Sequence, residues 1–132
     1  MTHCQRRDRL TARLAADGVD ALLVSDLVNV RYLSGFTGSN AALVVFADGR
    51  PAVLATDSRY RAQAARQAPD VEVLIERACG RHLVRRALAD GAGRIGFESH
   101  VVTVDGFAAL STELAEHGTA ELVRAEIGRA HV

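Results

Sequence analysis

Apolar positions along the chain follow two different periods. Leu10 and Leu14, with alanines around them, recur at helical spacing while arginines take the opposite face. That spacing predicts a helix from about Gln5 to Ala16, stopped at Asp17-Gly18, where glycine accepts a left-handed cap. Ala21-Leu22-Leu23-Val24 is an unbroken apolar run and predicts a buried strand. A turn or short helix is expected through Asn29 to Leu33, followed by the glycine-bearing segment Gly35-Phe36-Thr37-Gly38-Ser39-Asn40. The apolar runs from Ala41 to Phe46 and from Ala52 to Ala55 flank Asp48-Gly49-Arg50-Pro51, a hairpin signal.

Ser58 to Ala68 is alanine-rich and predicts a helix capped by Asp57 or Ser58, with Pro69-Asp70 ending it. Val71 to Ile75 predicts a strand, Arg81 to Ala89 a helix closing at Asp90-Gly91, and Arg94 to Phe97 a further strand. Thr103 can cap a helix running to about His117 and stopping at Gly118, and Ala120 to Val123 makes a last short strand. This order predicts an α/β fold, a three-layer α/β/α sandwich around a mixed sheet of about six strands. The hairpin should be antiparallel and the helix-linked strands parallel.

Composition narrows the field. The 132 residues include 16 basic and 16 acidic side chains and are 48% hydrophobic, an ordinary globular balance that supports one domain. Zero net charge argues against nucleic-acid or anionic-membrane partners, which need a basic surface. Every basic residue is arginine, so Schiff-base and P-loop lysine mechanisms are closed. Cys4 and Cys79 lie far apart, outside any CxxC spacing, and read as free thiols. The N-terminus lacks the apolar stretch of a signal peptide and no run approaches a membrane span, so a cytoplasmic setting is expected.

Little in the sequence reads as catalytic on its own. The GFTGSN segment lacks the Gly-Lys-Ser/Thr of a P-loop, and the five histidines show no metal-ligand spacing. No GxSxG elbow surrounds any serine. Asp26, Asp57 and Glu98 fall after predicted strands, where carboxylates could converge on a divalent cation as in a nuclease. Asp57, however, has a sufficient task as a helix cap. Arg59-Tyr60 stands out, because an arginine in the first turn of a helix opposes the macrodipole and its planar fork suits a carboxylate or carbonyl. A neighbouring carboxylate would be its bland partner.

Three ordered motifs carry a resemblance: Asn29 to Asn40 (NVRYLSGFTGSN), Thr56 to Tyr60 (TDSRY) and Ile95 to Glu98 (IGFE). Together they resemble the N-terminal domain of the creatinase, prolidase and Xaa-Pro aminopeptidase family over roughly residues 5 to 125. GFTGSN and TDSRY look most like the aminopeptidase P branch. The resemblance implies a two-domain parent whose C-terminal domain holds two divalent metals, usually manganese, through two aspartates, a histidine and two glutamates. Those metals activate water and polarise the scissile carbonyl before proline. It also implies that the N-terminal domain is non-catalytic, contributing to homo-oligomer assembly and walling the cleft that admits proline-containing peptides. None of the five ligands is carried over to this chain, so no cofactor is expected in it. Arg59 and Tyr60 are implied at the rim facing the cleft, with Phe36, Thr37, Gly38, Ser39 and Asn40 forming the adjoining loop.

Residues Glu126 to Val132 (EIGRAHV) depart from the family, where a linker helix should begin, and read as the in-frame translation of a sequencing adapter. The expected division is therefore a domain over residues 1–125 and a non-native tail over 126–132. The leading expectation is an inactive N-terminal part of a Xaa-Pro aminopeptidase-like protein lacking its catalytic domain. Its rivals are a stand-alone binding or oligomerisation module and a small hydrolase or nuclease in its own right.

Overall fold

The structure, a computed structural model, describes residues 1–125, so the reading of Glu126 to Val132 lies outside the described residues. Twelve elements follow one another along the described residues. Helix α1 (His3–Asp17) starts two residues before the expected Gln5 because Thr2 forms a reciprocal capping box with Gln5. It ends at Gly18, whose φ of 70° is the left-handed cap anticipated from the sequence. Strand β1 (Ala21–Val24) is buried at every position. Helix α2 (Leu27–Ser34) is capped by Asp26, which accepts the Val28 amide, and stops at Gly35 with φ 86°. A Cβ at Gly35 would also press on His3 and on the Gln67 carbonyl, so glycine is required there twice over.

Strands β2 (Ala41–Phe46) and β3 (Val53–Thr56) form the expected hairpin. The single alanine-rich helix expected from Ser58 resolves into two pieces: a 3₁₀ turn over Ser58–Tyr60, then α3 (Arg61–Gln67). Asp57 caps the first piece, accepting from the Arg59 amide. Strand β4 (Glu72–Ile75) follows, then α4 (Cys79–Ala89), β5 (Arg94–Glu98), α5 (Val104–His117) and β6 (Glu121–Ala125).

The six strands make one sheet in the order β4-β3-β2-β1-β5-β6. Strand β2 is antiparallel to both neighbours and every other pairing is parallel. This corrects one expectation, since β1 and β2 are linked by a helix yet run antiparallel. The reason is local: Gly35 turns the chain out of α2, Phe36 is buried, and Gln67 binds the Thr37 amide. The connection thus returns to the end of β1 that it left.

Both faces of the sheet are covered. Leu22, Val24, Leu43, Val45 and Leu54 pack on the face that carries α1, α2 and α3, against Leu10, Leu14, Val30 and Leu33. The alternate residues, among them Leu23, Val44, Val53 and Ile95, meet Leu83, Val84 and Leu110 of α4 and α5. Alternation follows from the two-residue period of a strand, and each fully buried aliphatic side chain contributes about 1.5–3 kcal/mol. The result is the expected three-layer α/β/α sandwich.

Two arginine arrangements pin helices that cores alone would leave to slide. Arg7 of α1 donates to the Leu33 carbonyl at 2.7 Å and to Asp70 at 2.5 Å, joining α1, the end of α2 and the turn after α3. Glu113 of α5, almost fully buried, accepts from Arg81 and Arg85 of α4. These arginines hold its carboxyl below the usual glutamate range, the Arg81 hydrogen bonds foremost.

Candidate functional site

The topology brings the sequence motifs to one edge. Strands β1, β3, β4, β5 and β6 share a direction, and β2 begins where they end. The carboxyl ends of parallel strands are where loops of α/β sheets gather their functional groups. Here that edge holds residues 36–40 ahead of β2, the 57–60 turn after β3, the loop after β4 and the two segments after β1 and β5.

Six of the seven candidate residues meet around Asp57 and the Tyr60 ring, and the seventh, Thr37, is held beside them by α3. Arg59 lies two-thirds exposed and forms a two-pronged pair with Asp57, Nε to Oδ1 and Nη2 to Oδ2, each 2.9 Å. Asn40 donates to Asp57 Oδ2 at 2.9 Å and to the Arg77 carbonyl at 3.3 Å, while its own carbonyl accepts from Thr56 Oγ1 at 2.6 Å. Asp57 is therefore clamped from two sides, and the Arg59 fork, then the Asn40 amide, hold its carboxyl far below the ordinary carboxylate range. The same pairing raises Arg59. The neighbouring carboxylate expected as the bland partner of Arg59 is thus Asp57, and it fixes the direction in which the guanidinium points.

Tyr60 extends the network. Its hydroxyl shares a 2.6 Å hydrogen bond with Ser39, which lowers its pKa, and its ring meets Phe36 edge-on with centroids 5.7 Å apart. The Arg59 guanidinium sits 5.0 Å above the Tyr60 ring. Gly38 runs against the Phe36 ring so closely that a Cβ would lie 2.6 Å from Phe36 Cε2. Thr37 is held by Gln63 and Gln67 of α3. A cleft of about 630 Å³ opens beside this network, lined by Asn40, Asp57, Arg59, Glu76 and Arg77 among others.

Sequence reasoning missed the partners that do the positioning. Asp57 reads from the sequence as a cap or a cation ligand and not as the partner of Asn40, and Gln63, Gln67 and Arg77 carry no motif. A second hub, Glu98, is fully buried and accepts from the Ser25 amide at 2.6 Å, the Asp26 amide at 2.9 Å and Asn29 Nδ2 at 2.7 Å. Asn29 and Glu98 each lay inside a recognised motif, yet 69 residues of separation hid their pairing.

The carboxylate convergence considered for Asp26, Asp57 and Glu98 takes a different form. Asp26 and Glu98 come together with His100, each offering an atom within 4.8 Å of the others, whereas Asp57 belongs to the Arg59 network. Glu113, Glu116 and His117 make a second such group. In each group the buried carboxylate is already engaged by N–H donors, Glu98 by three and Glu113 by two guanidinium groups. Neither group matches a two-metal set of two aspartates, a histidine and two glutamates. Among the described residues, no helix is long and apolar enough to cross a membrane.

Comparison with known proteins places these features in company. A family model described as the Creatinase/Prolidase N-terminal domain matches residues 6–127. The N-terminal domain of the cytoplasmic peptidase PepQ from Mycobacterium tuberculosis is 66% identical, with TM-score 0.89, over 92% of this chain and 93% of that one. A Xaa-Pro aminopeptidase structure from Streptococcus pyogenes is 29% identical with TM-score 0.82, over 92% of this chain and 90% of that one. The uncharacterized peptidase YqhT of Bacillus subtilis is 35% identical over 111 residues, 80% of this chain. The chain spans only 29% of the length of YqhT.

Proposed function

Because the chain belongs to the Creatinase/Prolidase N-terminal domain family, we propose that it serves as the non-catalytic N-terminal domain of a cytoplasmic Xaa-Pro aminopeptidase-like metallopeptidase. In this reading its strand-end edge walls the cleft of a following catalytic domain and contributes to subunit assembly. The metals, manganese in the family's usual form, belong to that other domain, and peptides with proline in second position enter past this edge.

The observation that carries the reading is the clamped Asp57–Arg59 pair. Asn40 and Asp57 hold an exposed guanidinium in one orientation at the mouth of the cleft. The Nε–Nη2 side of the guanidinium is engaged by Asp57, which leaves the N–H groups of Nη1 and the second of Nη2 to donate to a carboxylate or a peptide carbonyl at little further ordering cost. Phe36, Thr37, Gly38, Ser39 and Tyr60 give the rim its shape, and Arg59 is the residue positioned to touch a peptide or a neighbouring subunit.

Two measurements test this. The purified chain with added manganese should cleave no Xaa-Pro peptide, and turnover would refute the reading. In full-length PepQ, an alanine at the position matching Arg59 should change KM for Xaa-Pro substrates or the sedimentation behaviour of the enzyme. Unaltered kinetics together with unaltered assembly would sink the role given to Arg59. The domain-sized relatives supply the rival, a stand-alone binding module, because a unit matching 93% of a solved chain can fold by itself. That rival predicts a monodisperse chain that neither needs nor joins a catalytic domain.

A further inference from the structure

A second pocket lies between the first turn of α1 and helix α2, outside the Arg59 network. His3 and Arg6 stand three residues apart on α1, and Val28, Arg31 and Tyr32 take i, i+3 and i+4 positions on α2, so each helix presents one face. These five residues line a pocket of about 360 Å³. Contacts between the two helices fix its shape. Arg6 Nη1 donates to the Tyr32 carbonyl at 2.9 Å, and His3 Nδ1 lies 3.1 Å from the same oxygen. Arg7 holds the next carbonyl, that of Leu33, at 2.7 Å. The Arg6 guanidinium sits 4.3 Å from the centre of the Tyr32 ring, which restrains it further.

The lining holds cations and no counter-charge. None of the five residues is acidic. Arg7 pairs with Asp70, but among the described residues neither Arg6 nor Arg31 forms an ion pair. Arg6 spends an N–H on the Tyr32 carbonyl, while its Nε is buried and has no hydrogen-bond partner among the described residues. Buried polar groups are almost always hydrogen-bonded, so an orphaned guanidinium nitrogen on a residue lining a pocket points to an acceptor that binds there. The zero net charge of the chain conceals this local excess of cation. We propose that the pocket binds a small phosphate monoester, its phosphoryl group held by Arg6 and Arg31 and its organic substituent laid against Val28 and Tyr32. A phosphoryl group answers the two guanidiniums with a charge of about −1.5 to −2 at pH 7 and three acceptor oxygens. A carboxylate brings one charge and two oxygens. The planar arginine fork also matches phosphate oxygens in pairs. Val28 is half exposed and offers the substituent an apolar wall. Arg6 is already restrained by the Tyr32 carbonyl and ring, so binding orders little there. The pocket shares no residue with the cleft beside Arg59, so its ligand is independent of the peptide-binding role given to that cleft.

Phenyl phosphate is the probe, titrated into the full chain at constant ionic strength in chloride while NMR follows the arginine Nε–H resonances and the Val28 methyls. The Arg6, Arg31 and Val28 signals should shift together and saturate on one curve. Phenyl phosphate should bind at least about tenfold more tightly than benzoate, and Arg31→Gln should weaken it by a similar factor, the loss expected for one charge-assisted contact. Arg31 is exposed, so this variant should keep the melting temperature of the parent chain. Arg61→Gln removes an exposed arginine of α3 that does not line the pocket and should leave the affinity unchanged. No saturable shift at Arg6 and Arg31 would overturn the proposal, as would benzoate binding as tightly as phenyl phosphate. Equal weakening by Arg31→Gln and Arg61→Gln would also overturn it, because the effect would then be general attraction of anions to a basic surface. Inorganic phosphate binding as tightly as phenyl phosphate would overturn the part given to Val28 and Tyr32.

Discussion

Removing the Glu98 carboxylate should loosen the strand-end edge more than any other single polar change there. The side chain is fully buried and is the common acceptor for the Ser25 amide, the Asp26 amide and Asn29 Nδ2. In Glu98→Ala all three donors lose a charged partner at once. A buried donor left unpaired costs about 1–3 kcal/mol. Ser25 and Asp26 are partly open, so water can replace some of the loss there. Taking the low end of that range for each donor, together with the space left behind, gives about 3–5 kcal/mol. Domains have only about 5–15 kcal/mol to lose. Glu98→Gln should be far milder, because one amide oxygen can still serve both backbone N–H groups. Asn29 must then turn its own amide to present oxygen to the new NH₂, and the bonds lose their charge, for about 1–2 kcal/mol in all. Urea unfolding followed by far-UV circular dichroism measures both, with an unchanged m-value confirming a pure stability effect. A double-mutant cycle with Asn29→Ala should give a coupling of about 1 kcal/mol or more between Asn29 and Glu98. Costs for Ala and Gln that are equal and below about 1 kcal/mol would refute the reasoning, since an acceptor hub cannot be removed so cheaply.

The two thiols should separate cleanly in a reagent titration. Cys79 is buried, and burial, followed by the nearby Asp57 charge, pushes its pKa up to about 11, whereas Cys4 is exposed. At pH 8 one thiol should react quickly with Ellman's reagent and the other only on denaturation, and two fast thiols would contradict this burial. Because the folded thiol ionises above its ordinary value of 9, Cys79 should withdraw stability as pH climbs from about 9 towards 11. Acid should act through the carboxylates. Glu113 is lowered by Arg81 and Arg85, Glu72 by Arg86, and Asp57 by Arg59 and Asn40, so their contributions are full above the unfolded carboxylate range near pH 4. They are lost as pH falls through the depressed folded values. Glu113→Gln should flatten this acid limb in pH-dependent melting curves, and an unchanged slope would show that the α4–α5 clamp stores no such stability.

Much of the fold was legible because its strands are short apolar runs punctuated by glycine, proline and aspartate. The hairpin around Asp48-Gly49 and the Gly18 cap both form where the sequence places them. The misses have local causes. Thr2 extends α1 through a capping box formed with Gln5, and a single-residue cap is weak evidence against a run of charged residues. The break at Tyr60 in the alanine-rich segment accompanies Asp57 tying down Arg59 two residues on, a local side-chain contact that helix propensity does not contain. Strand direction for β1 and β2 depended on where the chain goes after Gly35, which buried Phe36 and the Thr37–Gln67 contact decide. At the site, residue types were readable and pairings were not. Arg59, Tyr60 and residues 36–40 were singled out as a group, but Asp57 with Asn40, and Asn29 with Glu98, meet only once the sheet is assembled.

The proposed function makes this chain the non-catalytic N-terminal domain of a proline-directed metallopeptidase. Its most direct test compares three proteins on a Xaa-Pro peptide with manganese present: the isolated chain, the part of M. tuberculosis PepQ that follows its own N-terminal domain, taken alone as the remainder, and the fusion of residues 1–125 to that remainder. The account predicts no turnover by the isolated chain, impaired turnover or substrate selection by the remainder, and restored Xaa-Pro cleavage by the fusion. Turnover by the isolated chain, or a remainder whose rate and selectivity match those of the fusion, would contradict it.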